Sequence, residues 1–83
     1  MTREKYEGLR KWLMKQAARE IIVGFDELGT LVGGLPPSAE KYAAWWANEL
    51  GSSTHVQCHA WLEAGYRASV TLTRREVTFT KLS

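Results

Sequence analysis

The chain has little that would tie it to a membrane or to an oxidising compartment. It carries one cysteine, Cys58, so no internal disulfide can form, which fits reducing surroundings. No apolar run approaches the ~18–20 residues of a membrane span. The opening residues, Met1 to Lys5, are charged and lack the apolar segment of a signal peptide. The expected setting is the cytoplasm. Repeats, low-complexity tracts and long blocks of like charge are also missing, and no linker divides the chain. No Asn-Gly or Asp-Gly pair marks a tight hairpin turn. Gly33-Gly34 is not followed by the Lys-Ser/Thr that a phosphate loop requires.

What is present suffices for one small core, and residues 1–83 are expected to form a single domain. The sequence is 45% hydrophobic and holds four Trp, three Tyr and two Phe in 83 residues, which argues against intrinsic disorder. A domain of this size buries only ~60–65% of the surface of its unfolded chain, so aromatic side chains must supply much of the core.

Charge is unevenly distributed. The formal net charge is +2, but residues 1–20 carry +3, residues 21–51 carry −3 and residues 52–83 carry +2. Both ends are basic and the middle is acidic. A nucleic-acid binder holds phosphates with clustered cations, so these ends would make a footprint only if folding brought them together.

Hydrophobic periodicity divides the chain into short elements. Tyr6, Leu9, Trp12, Leu13 and Gln16-Ala17 follow a helical rhythm over Lys5–Ala17, leaving Arg10, Lys11 and Lys15 largely outside the apolar stripe. Glu20–Val23 is β-branched and short, a predicted strand. Gly24 then serves as N-cap to a helix with Asp26 and Glu27 in its first turn and Phe25, Leu28, Leu31 and Val32 on its buried face. Gly33-Gly34 ends it. Pro36-Pro37-Ser38 predicts the start of a third helix over Ala39–Asn48, with Ala39, Tyr42, Ala43 and Trp46 inward. Thr54 and Gln57 match a capping box for a fourth helix, His55–Ala64, burying Cys58, Trp61 and Leu62. Tyr66, Ala68, Val70 and Leu72 alternate on one strand and Val77 and Phe79 on its return, with Thr73–Glu76 as the tip.

The expected fold is therefore α+β and winged-helix-like: helix, short strand, helices and a C-terminal β-hairpin. The strand near Ile21–Val23 should pair with an edge of the hairpin, completing a three-stranded sheet against a helical core. The residues Tyr6, Leu9, Phe25, Leu28, Leu35, Pro36, Ser38, Ala39, Trp45, Trp46, Asn48, Gln57, Ala60, Trp61, Leu62 and Gly65 support the same arrangement. Their pattern, Leu-Pro-x-Ser-Ala, Trp-Trp-x-Asn and Ala-Trp-Leu-x-x-Gly, resembles a small prokaryotic domain family of unknown function across nearly the whole chain. Tyr66, where that family tends to have a second Trp, and Gly24, where a hydroxyl cap is usual, depart from it. The resemblance implies a fold and carries no activity.

No catalytic constellation is visible. Asp26-Glu27 is explained by the helix start, and Cys58 and His59 diverge by about 100° on a helix, too far for a nucleophile–base pair. His55, Cys58, His59 and Glu63 make the most metal-like cluster, but Cys58 points away from the histidines and no second cysteine completes a zinc site. No metal, cofactor or small-molecule substrate is expected, and the chain is read as a non-enzyme. Nucleic acid is the leading partner. Arg74 and Arg75 at the wing tip, with Arg67 and Lys81, would hold phosphates, while His55, Gln57 and His59 on the fourth helix would approach bases. The alternative is a protein–protein module, such as a small phage-borne inhibitor of a bacterial defence or transcription complex. It would be anchored by Trp45 on a helix rim shared with Lys41 and Asn48.

Overall fold

The computed structural model describes residues 6–48 and 57–82. Helix α1, Glu7–Met14, turns Leu9 and Leu13 inward beneath the buried ring of Tyr6 and leaves Lys11 and Met14 exposed. It stops short of the expected Ala17. Backbone bonds Lys15 N–H to Trp12 O (3.2 Å) and Gln16 N–H to Leu13 O (3.0 Å) tighten its last turn. The Gln16 side chain also donates back to Trp12 O at 3.0 Å. Burial pushes the Tyr6 phenol above its ordinary pKa, because the charged form would be stranded from water.

Strand β1, Glu20–Gly24, leads directly into helix α2, Phe25–Val32. Extended Gly24 precedes Asp26 and Glu27 in the first turn, as expected from the helix dipole. Gly33, at φ 76°, ends α2 in the left-handed conformation that glycine adopts without a Cβ penalty, and Gly34 N–H reaches Gly29 O at 2.7 Å.

The third predicted helix is broken. Helix α3 covers only Pro37–Lys41; Tyr42 is extended, and a 3₁₀ turn, Ala43–Trp46, follows. Tyr42 and Ala43 are exposed, contrary to the helical stripe drawn through them. The break lets the chain double back, so that the Trp46 indole N–H donates to Ala39 O at 2.8 Å. Helix α4, Cys58–Glu63, buries Cys58, Ala60 and Trp61. The expected start at His55 and the Thr54 half of the capping box lie outside the described residues.

Strands β2, Tyr66–Thr71, and β3, Glu76–Lys81, form the hairpin, joined by a 3₁₀ turn at Leu72–Arg74 and left-handed Arg75. The sheet order is β1-β3-β2 and both pairings are antiparallel. This is the α+β order expected from the sequence, with the short first strand completing the sheet. Val23, Tyr66, Ala68, Val77 and Phe79 line its inner face.

An aromatic chain fills the space between sheet and helices. Phe25 stacks on Trp46 (centroids 5.8 Å), Trp46 on Trp61 (5.6 Å), and Trp61 leans on Phe79 (6.0 Å). Helices α1 and α2 approach so closely at Gly8 that a Cβ there would lie 2.7 Å from Leu31 O. Gly8→Ala is therefore expected to lose about 1–2 kcal/mol net, because the steric cost outweighs the better helix propensity of alanine. The urea midpoint should fall with the slope of the transition unchanged.

Candidate nucleic-acid interface

The basic residues divide into two groups according to their partners. At the hairpin tip, Arg75 is held rather than offered. Its Nη1 lies 2.6 Å from Glu40 Oε1, its Nη2 lies 3.7 Å from Asp26 Oδ1, and its guanidinium covers the Phe25 ring at 5.4 Å. The hydrogen bond to Glu40, and then the attraction of the same carboxylate, raise its pKa further. Arg75 sits at the wing tip as expected from the sequence, but there it ties the tip to α2 and α3. Arg74 remains 77% exposed, with Glu76 3.8 Å away. On α1, Arg10 is bonded to Glu7 and also donates to Met14 Sδ at 3.2 Å.

The second group collects at the opposite end of the sheet. The Tyr66 hydroxyl donates to Ala18 O (2.7 Å), Lys81 N–H to Arg19 O (2.7 Å) and Leu82 N–H to Gly65 O (2.9 Å). These bonds fasten the loop after α1 to both strands of the hairpin at its base. They set Arg19 beside Lys81 and the segment after Lys15 beside Tyr66, next to Arg67, with Lys11 one helical turn behind Lys15; Arg67 lies on the outer face of the sheet and Lys81 on the inner one. Lys81 rests over the Tyr66 ring at 5.8 Å. Among the described residues, none of Lys11, Lys15, Arg19, Arg67 and Lys81 is in an ion pair. Among the described residues, exposed Glu20 is a carboxylate at this end, on the row Glu20–Thr80–Arg67 of the outer sheet face. Arg19 was not singled out by sequence reasoning, because a lone arginine in a loop carries no periodicity signal.

The helix preceding the hairpin does not present the expected reading face. Gln57 is buried, and its Nε2 donates to Trp45 O at 2.9 Å, so its amide holds the 3₁₀ turn in place and is unavailable to a base. His59 Nδ1 lies 3.6 Å from Glu63 Oε2, one helical turn on. His55 lies outside the described residues.

The expected protein-binding rim is also altered. Trp45 is half-buried, with its ring against Trp46 (4.6 Å), Tyr6 (6.1 Å) and Trp61 (6.4 Å). Asn48 is exposed, but its carboxamide is engaged: Nδ2 donates to Ala68 O, while Oδ1 accepts from Ala68 N–H and from the Trp61 indole, each at 2.9 Å. Lys41 is exposed and, among the described residues, in no ion pair. The Cys58 thiol is buried, and among the described residues no three metal-ligating side chains come together. Nor is any described helix long and apolar enough to cross a membrane.

Neither the curated proteins nor the solved structures yield a match to this chain. A family described as "Domain of unknown function (DUF7662)" matches residues 6–83, which contain both the aromatic core and the basic base of the sheet. The chain belongs to the DUF7662 family.

Proposed function

We propose that this domain is a non-catalytic, winged-helix-like module that binds duplex DNA through its phosphate backbone, working in the cytoplasm. The carrying observation is that backbone bonds at the base of the sheet bring Lys15 and Arg19 from one end of the chain near Arg67 and Lys81 from the other, on both sheet faces, and that among the described residues none of the four is in an ion pair. Four such cations match a stretch of phosphates better than they match a base edge, since charge without fork-and-groove geometry recognises the backbone. The reading therefore assigns affinity to the sheet base and little sequence discrimination to α4. Arg74, exposed at the far tip, would be an outlying contact.

The test is a salt titration of a short fluorescent duplex with the native protein. Four phosphate contacts predict a slope of log K against log salt of about −3 to −4, a loss of about 10²-fold between roughly 50 and 200 mM. No binding at about 50 mM salt, where counterion release is strongest, would overturn the reading.

A further inference from the structure

The two edges of the sheet are treated differently. On β2, alternation turns the N–H and C=O of Tyr66, Ala68 and Val70 outward, and the Asn48 carboxamide occupies both groups of Ala68, the middle one, at 2.9 Å, as a neighbouring strand would. On β1, bonds from Lys81 N–H to Arg19 O and from Phe25 N–H to Arg75 O bracket the ladder. Alternation then turns the odd-numbered residues of β1 toward β3 and the amides of Glu20, Ile22 and Gly24 to the open edge. Among the described residues nothing bonds the Ile22 backbone, and its side chain is 60% exposed. One edge is interrupted at its centre by Asn48, and among the described residues the centre of the other is left as a template.

We propose that a second copy of this chain docks on the β1 edge, antiparallel about a two-fold axis at Ile22, fusing the two sheets into one. The sequence of β1 is self-complementary in that register. Ile22 meets its own copy on the outer face, and Ile21 meets Val23 on the inner face. Glu20 lies opposite Gly24, so no like charges oppose one another. The ends of the strand agree as well. Arg19 flanks the basic end of β1, and Asp26, whose side chain is fully exposed although 3.7 Å from Arg75, flanks the other. The two-fold sets the Arg19 end of each copy beside the Asp26 end of its mate. This interface does not depend on what the basic end binds.

Sedimentation velocity of the full chain over a concentration series tests it. The mass should rise from 9.4 kDa toward twice that value and stop there, because the pairing consumes both edges. Ile22→Pro removes only an outward N–H, which proline tolerates on an edge strand, and breaks two symmetric hydrogen bonds. It should raise the dimer Kd at least about tenfold. Ile22→Lys should do the same by placing like charges together. Arg19→Glu or Asp26→Arg alone should weaken the dimer, and the double reversal should restore it. A constant monomer mass, growth past the dimer, or a dimer indifferent to folded Ile22 variants overturns the proposal. If neither Ile22 variant folds, failure of the double charge reversal to restore the dimer overturns it.

Discussion

Replacing Asn48 by leucine is expected to cost about 3 kcal/mol and to lower Tm by about 12–24 °C, a large fraction of the stability of a domain this small. Its carboxamide makes three 2.9 Å bonds, two to the backbone of Ala68 and one to the Trp61 indole. Leucine has nearly the same shape and satisfies none of them. Trp61 is buried completely, so its N–H cannot turn to water; the Ala68 groups lie on a sheet edge and can rehydrate in part. That difference keeps the expected loss nearer 3 than the sum of three full desolvation penalties. Asn48→Asp retains the acceptor for Ala68 N–H and Trp61 but sets a carboxylate oxygen against Ala68 O, so its loss should fall between those of wild type and leucine. Hydrogen exchange separates this from a general packing defect. Protection at the Ala68 amide and the Trp61 indole should fall before the rest of the core opens. A leucine variant that melts with the native protein would show the carboxamide to be dispensable. Unplugging β2 should also make the variant aggregate more readily, since an open strand edge recruits others.

Much of the scaffold was legible because it is written in local period. Leu9 and Leu13 mark the buried stripe of α1, and Tyr66, Ala68, Val77 and Phe79 mark the inner sheet face by alternation. Gly24 and Gly33 bound α2 where backbone chemistry says they should. The errors share one cause: a side chain's partner distant in sequence. Asn48 is exposed as a rim residue should be, but its bonds to Ala68, 20 positions on, were not legible, and Gln57 looked like a base reader because Trp45 lies 12 positions back. Arg75 sits at the tip as expected, but Glu40, 35 residues earlier, had already claimed it. The break at Tyr42 was hidden for the same reason. Helical spacing favours one continuous helix there, and only the bond between Trp46 and Ala39, with two tryptophans crowding one core, rewards the kink. The acidic middle of the sequence is thus spent partly on the hairpin tip, which leaves the sheet base as the basic end.

Reversing Arg19 and Lys81 together to glutamate should reduce duplex affinity by about 10²-fold at roughly 50 mM salt and flatten the salt slope by about 2, one unit for each phosphate contact removed. Both residues hold their place through the backbone bond between them, which the substitutions leave intact, so the fold should survive. Lys81 does give up its position over the Tyr66 ring, and a small drop in Tm is expected on that account. The informative comparison is Arg75→Ala. That guanidinium already faces Glu40 and Asp26, so removing it frees two carboxylates at the tip without removing a phosphate contact. Stability should fall while the salt slope stays that of the native protein. The opposite pattern, a slope that drops in Arg75→Ala and persists in the Arg19/Lys81 double variant, would move the footprint to the wing tip. Arg74 would then be its anchor, because only a surface that neutralises phosphates can release the counterions that the slope counts.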